Sequence, residues 1–346
     1  MSNPEQKTFS KVHLWRYLPI LIITGAAVYV LIPQIATLQN SWSVVQGMIW
    51  WAVALAGISQ VLSYLGSGFM LRAILNINQQ KLPLTKGTLI SMASVSIGLV
   101  AGGWVGAAAA TYGWIRRESR DGNTAVLAGT LPALLNNGVL IGASLIGTIY
   151  LLLVHDLSRA QLIEFSAILL VLGLMTALLI TAMRFPETAI HYIVWLAGRW
   201  SSFRHKPFVP ENIISTVRQF VAAWASLRNG RWLYPMLGAI ANVGFDMLTL
   251  KFMFIAAGHN VNPGVLFAGY SLPLILGKMA FLFPGGVGVI EGSMVALCES
   301  LNVPDAVCVV VILGYRLFSF WLPTLLGFAA AAYLSGRSSD VEVVPI

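Results

Sequence analysis

Stretches of more than about 18 consecutive, largely apolar residues recur along the chain, and that is the length an α-helix needs to cross the hydrocarbon of a bilayer. Charged residues make up only 10% of the 346, apolar residues 57%. The chain is therefore read as an all-α polytopic membrane protein. Spans and short connections take up its length, leaving no room within it for a soluble catalytic domain.

One apolar run is broken. In Phe281-Leu-Phe-Pro-Gly-Gly-Val-Gly-Val-Ile-Glu-Gly292, the residues Pro284, Gly285, Gly286 and Gly288 interrupt the run and Glu291 follows within a turn. Such a break is tolerated at membrane depth only where the freed backbone groups are buried in protein or line a watery cavity. In the next apolar run, Tyr315 and Arg316 stand about 11 residues in, so the Arg316 charge lies roughly 16 Å deep. A charge at that depth requires a partner, and Glu291 is the nearest in sequence. The pair either serves function or only locks the broken segment to the last helix.

Continuous spans are expected at Tyr17–Pro33, Gly47–Leu75, Ala125–Val154, Leu162–Met183, Trp232–Ala257 and Pro304–Leu334. The first is read as a retained helix rather than a cleaved signal peptide, since its run is long and no small-residue cleavage site follows. Two apolar stretches are irregular: 88–113, with Gly102-Gly103-Trp104-Val105-Gly106, and 265–298, with the Pro-Gly-Gly break. If both enter and leave on one side, seventeen of the 21 basic residues fall on the cytoplasmic face, with Arg159 outside and Lys251, Lys278 and Arg316 in the membrane. Threading the first stretch straight through would send Arg116, Arg117, Arg120 and the whole basic segment 184–231 outside, against the positive-inside rule.

The expectation is thus six full spans and two opposed re-entrant hairpins, with residues 1–16 cytoplasmic, as an inverted repeat would produce, and a site where the hairpin tips meet. Within 184–231, Ile213, Val217, Phe220, Val221 and Trp224 recur at helical spacing opposite Arg218, Gln219 and Arg228, reading as an amphipathic helix on the cytoplasmic face. It is either an interfacial connector or a gating element. The tail 335–346 is read as disordered.

The half-helix after the break aims its N–H groups and positive dipole end at the break. With Lys278 and Arg316, that suits a lipid phosphate, and Gly285, Gly286 and Gly288 allow it close to the backbone. Glu291 balances Arg316 or takes up a proton during a transport cycle. Asp246 lies mid-span and either faces the cavity or meets Lys278; Lys251, about 140° away around the helix, snorkels to an interface. Asn136 and Asn137 read as interhelical hydrogen-bond residues, and Gly138, Gly142 and Gly147 as a small-residue face for a homodimer or for packing within the chain.

Cys298 and Cys308, the only cysteines, read as core residues. The five histidines are scattered without metal-ligand spacing, and Gly286-Val-Gly288-Val-Ile-Glu-Gly292 follows no strand. No cofactor, metal or nucleic-acid partner is called for.

The segment Pro284-Gly285-Gly286-x-Gly288-x-x-Glu291, then Tyr315-Arg316 about two dozen residues on, then Phe320-Trp321 and Pro323, resembles the lysylphosphatidylglycerol synthase transmembrane-region family of flippase-like membrane proteins. The likeness is clearest over 281–327. It implies a lipid cargo. In bifunctional members a separate soluble domain makes aminoacylated phosphatidylglycerol, and no such domain is read within these residues. Many relatives carry a polar or arginine-bearing motif after the first hairpin's glycines, where this chain has Ala107 to Ala110.

The leading expectation is a transporter, a flippase moving an anionic lipid or lipid-linked headgroup between leaflets of a bacterial cytoplasmic membrane, and not an enzyme. The runner-up is a non-transporting membrane partner of a lipid or polysaccharide enzyme, using 184–231 as a platform. A third is an embedded lipid-phosphate transferase with Glu291 or Asp246 as base.

Overall fold

A computed structural model describes residues 42–119, 121–154, 184–204, 230–279 and 284–336, with scattered positions at 163–181 and at 211, 214 and 218. The regular elements among them are all helical. They are α1 (Trp42–Gln46), α2 (Trp50–Ile77), α3 (Leu84–Val100), α4 (Trp104–Ser119), α5 (Gly122–Val154) and α6 (Pro186–Arg204). Then come α7 (Leu233–Ala256), α8 (Pro263–Met279), a 3-10 turn (Pro284–Gly286), α9 (Val289–Ser300), α10 (Asp305–Arg316), a π turn (Leu317–Trp321) and α11 (Leu322–Gly336).

Among the described residues, four helical runs are long and apolar enough to cross a bilayer: α2, α5, α7 and the continuous Asp305–Gly336. They fall on four of the six expected spans, and the protein is an all-α polytopic membrane protein. The expected spans Tyr17–Pro33 and Leu162–Met183 lie wholly or largely outside the described residues, as do the N-terminus, most of the amphipathic helix expected beyond Pro207, and 337–346. Within the connector the structure has α6, which the sequence reading did not anticipate. Its Glu187 meets Arg218 at 3.6 Å on the surface.

Each irregular stretch holds two helices with glycines between them: α3 and α4 cover 84–100 and 104–119, around the stretch read as 88–113, and α8 and α9 cover 263–279 and 289–300, around the stretch read as 265–298. At 17 and 16 residues, α3 and α4 are each roughly 25 Å long, short of a full crossing. Gly102 and Gly103 take positive φ of 91° and 69°, and the Gly103 N–H closes onto the Gly98 carbonyl, ending α3 with a left-handed cap.

The halves pack reciprocally. α2 lies on α7, α3 on α11, and α8 on α5. The first arm of each broken pair therefore rests on the long helix that follows the other pair. Lipid tails give no hydrophobic drive between helices, so close approach and buried hydroxyls must hold them. Gly238 sits against the Met70 backbone, Gly66 against Ala241 and Asn242, and Gly327 against Met92. Ser63 donates to the Asn242 carbonyl at 2.8 Å, and the Asn242 amide returns a bond to the Ser63 carbonyl at 3.0 Å. Ser96 donates to the Thr324 carbonyl at 3.0 Å, and Ser144 to Ser271 at 2.8 Å. Gly147 packs on Ala268 and Phe267 and so works within the chain, while Gly138 and Gly142 face no neighbour within 4 Å among the described residues. Cys298 and Cys308 are buried free thiols in the core around Phe254, Tyr270, Met294 and Tyr315.

Candidate functional site

The second broken pair brings its charge to the break. α9 begins at Val289, after Gly288 in a positive-φ conformation, and Glu291 stands in its first turn. One Glu291 oxygen accepts the Gly288 backbone N–H at 2.7 Å; the other accepts Arg316 Nε at 2.6 Å. Both side chains are about 5% exposed. The guanidinium also reaches the Gly285 carbonyl at 3.4 Å and lies over the Phe320 ring, 4.2 Å from its centre. Each charge thus has a partner, as a charge in low dielectric requires.

The π turn after Arg316 supplies Phe320. A wide turn inserted into a long helix shifts the register of the side chains that follow it, and such turns are frequent at functional sites. Phe320 in turn lies against the glycine break: a Cβ on Gly285 would stand 2.6 Å from the Phe320 ring and 2.8 Å from Leu99, near the end of α3. Gly285 has a φ of 65°, which a side chain would also strain. Gly286 packs on Gly277 of α8. The break of the second pair therefore touches the end of the first arm of the other pair.

Beside Arg316, Tyr315 turns the other way. Its hydroxyl donates to Asp246 Oδ2 at 2.9 Å, and Tyr270 donates to the same oxygen at 2.7 Å, the two rings meeting edge to face. Gln60 of α2 borders this carboxylate, and Tyr64, one turn on, donates to the Ser319 carbonyl at 3.1 Å. The buried Gln60 Oε1 finds no hydrogen-bond partner among the described residues. Asp246, Gln60, Tyr64, Tyr270, Tyr315, Glu291 and Arg316 form a polar core drawn from α2, α7, α8, α9 and α10.

Of the two readings left open for Asp246, the meeting with Lys278 is not the one formed: Lys278 donates to Asn137 Oδ1 at 2.6 Å, and Asp246 is held by the tyrosines. Asn137 thus acts as an interhelical partner, while Asn136 keeps a buried, unbonded Oδ1 among the described residues. Lys251 is exposed on α7, away from Asp246, as its helical phase requires. Pro284 opens the 3-10 turn.

The chemistry open to this arrangement differs from a simple anion nest. Arg316 is already bonded to Glu291, and the Gly288 N–H at the start of α9 is taken by the same carboxylate. An incoming anion must therefore exchange places with Glu291. From Glu291 a cavity of about 310 Å³ runs between α9 and α10, walled by Val295, Ala296, Val309, Ile312 and Leu313, with Glu299 also on its lining.

Sequence reasoning missed Tyr270, Gln60 and Leu99, and it named Phe320 only as part of the family motif, with no contact assigned to it. A polar amide in the middle of the apolar run Trp50–Ile77 was a usable signal for Gln60. Leu99 gave none, because it is an apolar residue in an apolar run.

The chain is similar to a UPF0104 membrane protein of Pyrococcus horikoshii, 26% identical over 269 residues, which is 73% of this chain and 77% of that protein. A UPF0104 membrane protein of Methanocaldococcus jannaschii is 27% identical over 121 residues, 34% of this chain and 36% of its own length. Another, of Methanothermobacter thermautotrophicus, is 26% identical over 95 residues, 28% of each. Residues 17–327, which include both broken helix pairs and the Glu291–Arg316 pair, match the lysylphosphatidylglycerol synthase TM region, and the chain belongs to that family.

Proposed function

We propose that the protein moves an anionic lipid or lipid-linked headgroup between the leaflets of a cytoplasmic membrane, with its N-terminus inside. The observation that carries this reading is the buried Glu291–Arg316 pair at a helix break against which the end of α3 is packed. Ionisable residues at membrane depth are costly and mark pathways or coupling sites by default. In this reading α3–α4 and α8–α9 are re-entrant hairpins entering from opposite faces, and the reciprocal packing of the halves supports an inverted repeat. A headgroup phosphate would exchange with Glu291 on Arg316 while an acyl chain follows the apolar cavity beside α9.

The test is leaflet exchange of fluorescent phosphatidylglycerol in proteoliposomes, with a zwitterionic lipid as control. Faster exchange of the anionic lipid, lost in a folded Glu291→Gln variant, is the expected result. Exchange no faster than in empty liposomes would favour a partner protein without transport.

A further inference from the structure

A second polar cluster lies at the other end of α3, away from the core just described. α3 starts after Pro83 and carries Lys86 on its first turn; α4 ends with Trp114, Arg117 and Glu118, which at spacings of three and four share one helical face. The end of α11 brings Tyr333 alongside. Together they enclose a cavity of about 540 Å³, within the roughly 300–1,000 Å³ usual for ligand pockets. Its floor is apolar, with Leu89 and the fully buried Ile90. Across its mouth Lys86 Nζ meets Glu118 Oε1 at 2.6 Å, with both side chains near 40% exposed.

Lys86, Arg117 and Glu118 with two aromatic rings over an apolar floor make an amphipathic pocket in which basic side chains outnumber acidic ones among the described lining residues. Tryptophan and tyrosine favour the headgroup level of a bilayer, and this end of the molecule also carries Lys81 and Arg116, the side that attracts anionic lipid. We infer that this pocket is a binding site for an anionic phospholipid, its phosphate held by Lys86 and Arg117 and the start of an acyl chain lying on Leu89 and Ile90. Glu118 is a competitor: the phosphate takes over the bond that Lys86 gives to it. Binding here requires no translocation, so the site stands or falls apart from the transport reading.

Trp114 is a built-in reporter. In nanodiscs, brominated phosphatidylglycerol should quench it at a lower lipid fraction than brominated phosphatidylcholine, the Trp114→Phe variant supplying the background of the other tryptophans. Lys86→Gln should raise the half-quenching fraction about tenfold, as for one charge-assisted bond lost. Glu118→Gln should lower it by about threefold, as removal of a weak surface competitor predicts. Each change removes one partner of an exposed pair, so both variants keep the fold. Equal quenching by the two lipids, or weaker binding in both variants, would overturn the assignment. Displacement of the lipid by millimolar glycerol phosphate would give the pocket to a soluble phosphate and overturn the lipid as well.

Discussion

The two glycine-broken helix pairs follow one plan and keep their charge at opposite ends. In α3–α4 the break at Gly102 and Gly103 is flanked by Ala107 to Ala110, and a Cβ at either glycine would meet nothing within 4 Å. Its charges, Lys86, Arg116, Arg117 and Glu118, sit at the base. In α8–α9 the break is crowded by Phe320 and Leu99, and Glu291 and Arg316 stand directly on it. The difference teaches what charge demands of one architecture. A neutral break can pack against a partner without charge compensation, whereas a charged break must be sealed by its own ion pair.

The sharpest way to break this contrast is to remove one charge. Arg316→Ala or Glu291→Ala leaves its partner buried and alone and should cost about 3–5 kcal/mol, seen as loss of folded yield or thermal midpoint in detergent. The double variant should recover part of that loss. Additive losses would show that the pair is not a unit.

Next comes the backbone of the two breaks. Gly285→Ala adds a Cβ into the Phe320 ring at positive φ and should destabilise by roughly 2–4 kcal/mol, combining overpacking with left-handed strain. Gly102→Ala carries only the strain, about 1–2 kcal/mol. Equal melting shifts would mean that the crowding around Gly285 is relieved by movement of Phe320.

A smaller effect probes the polar core behind the charged break. Asp246→Ala leaves the Tyr270 and Tyr315 hydroxyls without their acceptor and should cost about 1–3 kcal/mol. Asp246→Asn keeps an acceptor oxygen and should remain near wild type in stability. Loss of lipid exchange in a stable Asn variant would assign the charge itself to transport, and unchanged exchange would leave Asp246 as a fastener.

The smallest effect lies at the joint between α4 and α5. Asp121 caps α5, accepting the Asn123 and Thr124 backbone N–H groups at 3.1 Å each together with the Thr124 hydroxyl. The Thr124 hydroxyl bond first, then the backbone bonds and Arg116, hold its carboxyl below the usual range. A depressed folded value gives stability that is present above the unfolded value of about 3.9 and lost as pH falls through the folded one. Asp121→Ala should therefore cost about 1 kcal/mol at neutral pH, and the gap from wild type should close in acid. A gap independent of pH would remove the carboxylate from the cap.

Much of this was legible in the residues. Apolar length marked four of the described spans, and Pro284 to Gly288 with Glu291 and Arg316 marked the break and its ion pair, because charge and helix-breaking residues are conspicuous in an apolar run. The partners that complete the site were not legible. Lys278 turns to Asn137 rather than Asp246, and Asp246 goes to two tyrosines, since helix phase says which face a residue occupies but not which neighbouring helix covers it. The π turn after Arg316 leaves no composition signal. The contact of Leu99 with Gly285 depends on the reciprocal packing of the two halves, a tertiary property.

The claim that the headgroup passes where the broken pairs meet is tested most directly by photo-crosslinking. Proteoliposomes would carry phosphatidylglycerol with a photoactivatable headgroup, and adducts would be mapped by peptide mass spectrometry. The account predicts adducts at 284–292 and at the end of α3 near Leu99, reduced in a folded Arg316→Gln variant, which lacks the cation that holds the phosphate. Adducts confined to the lipid-facing sides of α2, α5 and α7, with the segment 284–292 unmarked, would contradict it.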